Sequence, residues 1–259
     1  MHLKKKYGQH FLKDQNHAGK IADALTGWGV GYKHLLEIGP GGGILTQFLS
    51  AQCSDEKHLT LVEIDEDLIE NLIGQFASGY VDVKNIDFLK FDLNKFESPF
   101  GVIGNFPYNI SSQILFKVLE HRQAVCEVVG MFQKEVAQRV LASHGNKTYG
   151  ILSVLIQAYY KVEPVFALKP GAFNPPPKVD SMVIRLEKYR DSIEGVDDAD
   201  FMKMVKAAFG QRRKTLRNAL ANYLTGKSAY AGLDSILRSR AEQLSPAEFI
   251  DLNRQLNGR

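Results

Sequence analysis

Cysteine is scarce in this chain of 259 residues, which contains only Cys53 and Cys126. They form no Cys-x-x-Cys pair, and no histidine accompanies either of them at the spacing of a metal site. This argues against a disulfide-stapled scaffold and against a cysteine-ligated zinc site. We therefore expect no metal.

Long hydrophobic runs are also absent. No stretch approaches the ~18 apolar residues that a membrane-spanning helix needs. The basic start, residues 1–6, is not followed by the apolar stretch of a secretory signal. We expect a protein of a reducing compartment, cytoplasmic and without membrane contact.

Charge of one sign does not dominate, since 32 Lys and Arg face 29 Asp and Glu, for a net charge of +3. The surplus positive charge lies at the two ends. Residues 1–34 carry six lysines against two acids, and residues 201–233 carry seven basic residues and no acid. The net charge of the whole chain is too small to identify a binding partner.

Short apolar strands alternate with helical patterns in the first half of the chain. The predicted strands are 35–38, 59–64, 81–86, 101–104 and 125–132. This alternation predicts an α/β fold with a mostly parallel sheet and helices on both faces. Farther on, strands 162–168 and 181–186 are joined by a proline-rich loop without a crossover helix, so we expect them to pair antiparallel.

The pattern changes again near the C-terminus. Residues 188–200 are polar and acidic and are typical of a linker, and only helical patterns follow from Phe201. We therefore predict a domain of residues 1–188, which includes the basic N-terminal arm, and a small α-helical domain of residues 189–259.

A glycine-rich loop follows the first strand of the predicted sheet. Residues 37–43 read Glu-Ile-Gly-Pro-Gly-Gly-Gly, and glycines there let the backbone turn tightly and approach a ligand. The dinucleotide fingerprint would place a third glycine at Ile44. The observed spacing, with Gly39 and Gly41, suits S-adenosylmethionine better, although the loop by itself does not select the cofactor and could be an ordinary strand–helix turn.

Carboxylates end the next two strands. Glu63 is placed to accept hydrogen bonds from both ribose hydroxyls, in preference to its acidic neighbours at 65–67. Asp87 is placed to accept from an adenine amino group, although Asp92 lies close enough to compete for this role.

The segment Asn105-Phe106-Pro107-Tyr108 follows the fourth strand. An adenine amino nitrogen is a poor nucleophile, because its lone pair is delocalised into the ring. The Asn105 oxygen and a backbone carbonyl beside Pro107 can hold its two N–H groups so that the lone pair turns toward an electrophile. Phe106 or Tyr108 can stack on the base. Because Asn cannot act as a base, the segment predicts catalysis by positioning; the alternative is a turn whose aromatics close the core.

Candidate RNA contacts are basic or aromatic. The basic residues form one cluster, which we call the basic cluster: Lys203, Lys206, Arg212, Arg213, Lys214 and Arg217. They can neutralise phosphates, or form the solvated face of a helix. Lysines 4–6 and Lys13 could add a second contact or be a flexible tail. Phe173 could stack on an extruded base or fill the core.

Seven segments, taken in order, resemble the motifs of the small-subunit ribosomal RNA adenine N6,N6-dimethyltransferases. They are residues 7–12, 37–43, 62–65, 105–108, 133–136, 173–181 and 209–218. The resemblance covers nearly the whole chain, and a string of this kind is highly specific.

The resemblance implies a class I S-adenosylmethionine-dependent methyltransferase, Rossmann-like with an antiparallel last strand, followed by a helical domain that binds rRNA. It implies dimethylation of two adjacent adenosines in a hairpin loop near the 3′ end of 16S rRNA, late in ribosome biogenesis. The partner is the small ribosomal subunit, and a monomer is the expected state.

The family's cofactor contacts fall on His10, Leu12, Gly39, Glu63, Asp87 and Asn105. Many relatives have Asn in place of His10 and Leu in place of Phe106. The His10 contact could therefore be made by its backbone, and the choice between Phe106 and Tyr108 as the stacking residue stays open.

Other hypotheses change the target or the class of protein. The same chemistry could act on large-subunit rRNA, or the chain could be a non-catalytic assembly factor that retains a cofactor pocket. The C-terminal match argues against the first, and the intact segment 105–108 argues against the second. The spacing of the glycines in residues 37–43 argues against an NAD-dependent oxidoreductase.

Overall fold

The computed structural model of the chain describes residues 9–225 and 232–258. Its strands are β1 (Phe11–Leu12), β2 (His34–Ile38), β3 (His58–Glu63), β4 (Val81–Asn85), β5 (Phe100–Asn105), β6 (Val125–Gln133), β7 (Tyr160–Leu168), β8 (Phe173–Asn174) and β9 (Ser181–Lys188). Its helices are α1 (Gln15–Ala22), α2 (Thr46–Ser50), α3 (Glu66–Phe76), α4 (Ser111–Glu120), α5 (Lys134–Leu141), α6 (Ile151–Gln157), α7 (Asp198–Gly210), α8 (Leu216–Ala219), α9 (Ala221–Leu224), α10 (Asp234–Arg238) and α11 (Pro246–Leu256).

Seven strands form the main sheet in the order β4-β3-β2-β5-β6-β9-β7. The pairings of β2 with β3 and β5, of β3 with β4 and of β5 with β6 are parallel, whereas β9 runs antiparallel to β6. The predicted α/β fold is confirmed. Strand order reverses between β2 and β5, and ligands of open α/β sheets bind beyond the carboxyl ends of the strands at such a reversal.

The central strands are nearly continuous apolar runs. Four of the five residues of β2 and the last five of β3 are buried. Helices cover parallel sheets on both faces, so their strands show little of the polar alternation of half-exposed strands. Edge strand β4 does alternate, with Val81 buried and Asp82 exposed.

Helix starts follow the expected capping chemistry. Asp65 caps the helix after β3, because its side chain accepts a hydrogen bond from the Asp67 amide at the start of α3. The longest helix, α7, has 13 residues. Within the described ranges no helix is both long and apolar enough to cross a membrane.

Several features were not predicted, helix α1 among them. Strands β1 and β8 form a separate two-stranded antiparallel sheet, with Phe11 opposite Asn174 and Leu12 opposite Phe173. Strands of two residues are too short to carry a periodic pattern. Helix α5 was also missed, because its polar first turn follows β6 without a break in the sequence.

The chain divides into two compact units. One contains residues up to Ala137 together with Glu163–Lys188; the other contains Gln138–Val162 together with the chain from Tyr189 onward. One of the points at which the chain passes from one unit to the other lies between residues 188 and 189. Residues 138–162 were predicted in the first domain, but the structure groups them with the second, because α6 packs against α7 and α11.

Candidate active site

The glycine loop after β2 is tightly constrained. Gly39 and Gly41 have φ angles of +66° and +57°, a region that favours glycine. A Cβ atom on Gly41 would lie 2.6 Å from Cε1 of Phe11 in β1. The absence of side chains therefore lets the N-terminal segment lie directly on the loop.

Glu63 ends β3 and ties that strand to the glycine loop. Its Oε2 accepts from the Gly41 amide at 3.1 Å, and its Oε1 accepts from the amides of Ile64 and Asp65 at 3.0 and 2.9 Å. The residue is only 4% exposed. Burial raises the pKa of Glu63, while these backbone hydrogen bonds act in the opposite direction. The remaining lone pairs of its oxygens suit ligand hydroxyls.

A cavity of about 320 Å³ opens at the carboxyl ends of the central strands. The predicted residues that line it are His10, Gly39, Gly41, Glu63, Asp87, Asn105, Phe106, Pro107 and Tyr108. Leu12 lines a second cavity of about 140 Å³, which shares Gly39 and Asn105 with the first. The structure thus brings together all the predicted cofactor and catalytic residues.

The structure distinguishes Asp87 from Asp92. Asp87 lines the larger cavity, and its Oδ1 accepts from the Leu89 amide at 2.9 Å. Asp92 is exposed and caps the next turn, where it accepts from the Asn94 amide at 3.1 Å. Asp87 is therefore the acid placed for a ligand.

Asn105 is the last residue of β5 and is half-buried. Its Nδ2 donates to the main-chain carbonyl of His10 at 2.8 Å. This contact engages the donor end of the side-chain amide and leaves Oδ1 as the acceptor.

The two aromatics of the 105–108 segment have different environments. Phe106 is 1% exposed, and its ring packs edge-on against Phe132 with centroids 5.1 Å apart. Tyr108 is half-buried in the wall of the cavity, and its hydroxyl is hydrogen-bonded to Ser181 Oγ at 2.5 Å. Burial raises the pKa of Tyr108. The Phe106 ring is a core element, so Tyr108 is the ring available to a base.

His10 connects the N-terminal segment to the 105–108 segment and to Pro175. Besides the bond from Asn105 to its carbonyl, its Nδ1 lies 2.8 Å from the carbonyl oxygen of Pro175, so this nitrogen carries the hydrogen and donates. Its ring also lies 5.4 Å from that of Tyr108. Side chain and backbone of His10 are thus both engaged.

Two residues with polar side chains at the site belong to the sequence motifs but were not predicted as site residues. Gln9 lines the larger cavity, and its Nε2 donates to Asp65 Oδ2 at 2.9 Å. Glu37 is 1% exposed in the wall of the smaller cavity and accepts from Thr46 Oγ1 at 2.8 Å. Burial raises the pKa of Glu37 to about 8. Its position directly before the glycines was the available signal.

Phe173 was a candidate RNA contact, but the structure does not place it at the surface. It is 1% exposed in β8, opposite Leu12, and belongs to the hydrophobic core. Its ring therefore fills the core in this structure and offers no surface to a base.

The basic cluster lies in the unit that contains the C-terminal helices. Lys203, Lys206, Arg213 and Lys214 are exposed. Arg212 is half-buried and donates to the Asn146 carbonyl at 3.3 Å, and Arg217 forms an ion pair with Asp234. Arg217 is exposed as well, so five of the six predicted cations have exposed side chains. Lysines 4–6 lie outside the described residues.

No group of three or more His, Cys, Asp or Glu side chains within residues 9–225 and 232–258 is placed to hold a metal ion.

The glycine loop lies at a strand-order reversal, where open α/β sheets bind nucleotide ligands, and the fold is that of the class I S-adenosylmethionine-dependent methyltransferases. The family model described as "Ribosomal RNA adenine dimethylase" matches residues 1–257. The chain belongs to this family, and it is an S-adenosylmethionine-dependent ribosomal RNA adenine dimethyltransferase.

Individual proteins agree with this assignment. The chain is 51% identical over 257 residues to "Ribosomal RNA small subunit methyltransferase A" of Cytophaga hutchinsonii, covering 99% of this chain and 98% of the relative. A dimethyladenosine transferase from Plasmodium falciparum has a TM-score of 0.80 and 26% identity, with 96% and 98% of the two chains covered. The 23S rRNA methyltransferase ErmE has a TM-score of 0.71 and 26% identity, with 95% and 99% covered.

Proposed function

We propose that this enzyme dimethylates N6 of two adjacent adenosines in a hairpin loop near the 3′ end of 16S rRNA, on the small ribosomal subunit. The supporting observation is the placement of Asn105 at the cavity, with its amide nitrogen engaged by His10 and its oxygen left to accept from an adenine amino group. We include in this proposal that the protein acts as a monomer in the cytoplasm.

The cavity fits S-adenosylmethionine in size and in donor chemistry. A volume of about 320 Å³ is in the range of small-molecule sites. Glu63 would hold the ribose hydroxyls and Asp87 the adenine amino group. The glycine loop and the arm residues His10 and Leu12 would hold the methionine end through backbone groups. When bound, the cofactor supplies an electrophilic methyl group.

Asn105 would position the target base together with the carbonyl of Phe106. Two acceptors can hold both N–H groups of the adenine amine, so that its lone pair turns out of the ring plane. Pro107 has no N–H and cannot compete as a donor. The Phe106 ring, packed on Phe132, keeps this stretch of backbone in place.

Tyr108 would stack on the target base. Its ring is braced by the hydroxyl contact to Ser181, so its orientation is set before the base arrives. Asn105 has no basic group, so we propose that the amine loses its proton only after the methyl group has been transferred. Rate enhancement then comes from orientation.

The exposed members of the basic cluster would contact phosphates of the rRNA. Residues 201–233 contain no acid, so no carboxylate within this stretch repels the RNA. Such contacts are independent of base sequence, so the cluster would orient the subunit and leave the choice of adenosine to the cavity.

Nucleoside analysis of treated ribosomal subunits tests the proposal. Small subunits from cells that lack the enzyme are incubated with pure protein and S-adenosylmethionine, and the digested RNA is analysed by mass spectrometry. We expect N6,N6-dimethyladenosine in two adjacent positions near the 3′ end of 16S rRNA. Large subunits serve as the matched substrate control, and modification of those alone would contradict the proposed target.

A further inference from the structure

Lys117 of α4 is held by three main-chain carbonyls. Its Nζ donates to the carbonyl oxygens of Phe88 at 2.6 Å, Leu89 at 3.1 Å and Phe91 at 2.5 Å. The ammonium also lies 4.9 Å from the centroid of the Phe88 ring. An ammonium has three N–H donors, so these acceptors satisfy all of them.

The carbonyls belong to a turn that forms one wall of the larger cavity. Asp87, Phe88 and Leu89 all line that cavity. The turn, Phe88–Lys90, is a single 3-10 helix capped by Asp87, whose Oδ1 accepts from the Leu89 amide at 2.9 Å. A three-residue 3-10 helix has poor internal hydrogen-bond geometry, so contacts from outside are needed to fix it.

Lys117 supplies such a contact from helix α4. Helix α4 is anchored by the buried residues Ile114, Leu115, Val118 and Leu119. The Lys117 ammonium therefore projects from a rigid element onto the exit of the turn. Burial lowers the pKa of Lys117, while the charge of the nearby Asp87 carboxylate acts in the opposite direction.

We propose that Lys117 is a positioning residue that fixes the adenine subsite of the cofactor cavity. By holding the carbonyls of Phe88, Leu89 and Phe91, it sets the position of Asp87 Oδ2 and of the backbone at the cavity wall. It thereby sets the affinity and the selectivity for an adenine ring. The inference rests on the proposed function through one assignment, that Asp87 accepts from the adenine amino group.

Calorimetric titration with two ligands tests this role. The probes are S-adenosylhomocysteine and S-inosylhomocysteine, which carries a carbonyl where adenine carries the amino group. We expect the wild type to prefer the adenosyl ligand about tenfold or more, as a hydrogen bond to a charged group would provide. Lys117→Met should weaken binding of the adenosyl ligand about tenfold and reduce the preference to about twofold.

Lys90→Met is the matched control. Lys90 is exposed in the same turn and does not line the cavity, so its removal takes the same charge from the turn without touching the three carbonyls. We expect Lys90→Met to bind the adenosyl ligand with wild-type affinity and to keep the wild-type preference for it over the inosyl ligand. Turnover at saturating S-adenosylmethionine should change little in Lys117→Met while KM for the cofactor rises. Lys117→Arg, which keeps charged donors, should restore part of the preference.

The outcomes separate this role from a general loss of structure. Equal weakening of both ligands by Lys117→Met, with the preference kept, would overturn the inference, as would unchanged affinities. If Lys117→Met does not fold, Lys117→Gln, which can serve two of the carbonyls, should show an intermediate preference, and a wild-type preference there would overturn it. Failure of the wild type to bind either ligand would refute the proposed function itself.

Discussion

The side-chain amide of Asn105 donates to the main-chain carbonyl of His10 over 2.8 Å. This bond fixes which end of the amide faces the cavity, because the nitrogen is engaged and the oxygen stays available. It also connects the N-terminal segment to the end of β5, two parts of the chain that are 95 residues apart. The arm thus sets the orientation of the residue that would position the target base.

Glu63→Gln should weaken binding of S-adenosylhomocysteine at least about tenfold, measured by calorimetry. The carboxylate accepts three backbone hydrogen bonds, and an amide group in its place turns one acceptor into a donor facing an N–H. Glu66→Gln is the matched control, since Glu66 is exposed in the first turn of α3. Equal affinities of the wild type and Glu63→Gln would refute the ribose assignment.

Phe106 and Tyr108 should respond differently to substitution. Tyr108→Ala should lower kcat/KM for the RNA about tenfold to a hundredfold, because stacking on a base is worth about 1–3 kcal/mol. Tyr108→Phe keeps the ring but loses the contact to Ser181, so its loss should be measurable and smaller than that of Tyr108→Ala. Phe106→Ala should cost about 3–5 kcal/mol in the free energy of unfolding, measured with denaturant.

Phe106→Leu is the informative control for these variants. It keeps an apolar side chain of similar size in the core, so methyl transfer should stay within about twofold of wild type. A large loss of RNA affinity in Phe106→Leu, with Tyr108→Ala unaffected, would reverse the assignment of the stacking residue.

Glu37 should make stability depend on pH. Burial raises its pKa from the ordinary value of 4.5 to about 8, so the unfolded chain loses this proton at lower pH than the native chain. The stabilisation is therefore fully present below about pH 4.5 and is lost as the pH rises through about 8, at up to about 1.4 kcal/mol per pH unit.

Denaturant unfolding of the wild type and of Glu37→Gln at several pH values measures this contribution. Glu37→Gln cannot ionise, so the difference in the free energy of unfolding between the two proteins should shift in favour of the variant as the pH rises. A difference that is constant between about pH 5 and about pH 8 would show that Glu37 titrates normally.

The exposed part of the basic cluster should contribute to RNA affinity through counterion release. The double variant Arg213→Ala, Lys214→Ala should bind rRNA more weakly, and the slope of log K against log salt should fall by about 0.7–0.9 for each phosphate contact removed. Arg217→Ala should have a smaller effect, because its guanidinium is already paired with Asp234. Lys95→Ala, an exposed lysine outside the cluster, is the control, and an unchanged slope in the double variant would remove the cluster from the interface.

The site residues at the carboxyl ends of strands could be predicted from the sequence alone. Gly39 follows an apolar strand and Glu63 and Asn105 each end one, and the carboxyl ends of parallel strands meet at one edge of the sheet. Their convergence on one cavity could therefore be predicted without coordinates. The chemistry of each residue type then indicated its ligand group.

Side-chain direction within a turn could not be predicted in the same way. Phe106 and Tyr108 lie two residues apart, and only the backbone path through Pro107 decides which ring enters the core. Phe173 was left between two roles for the same reason, since its burial depends on the pairing of β8 with the distant β1. The contacts of Lys117 could not be predicted from the sequence, because its partners are backbone carbonyls, which every residue has.

Methyl transfer by Asn105→Ala tests the central claim most directly. Calorimetry with S-adenosylhomocysteine and single-turnover methylation of small subunits are measured on the same preparation, with Asn94→Ala, an exposed asparagine outside the cavity, as control. We expect cofactor affinity to stay within about fivefold and methyl transfer to fall about a thousandfold, because orientation of the amine is lost. Methyl transfer at the wild-type rate would contradict positioning of the adenine by Asn105.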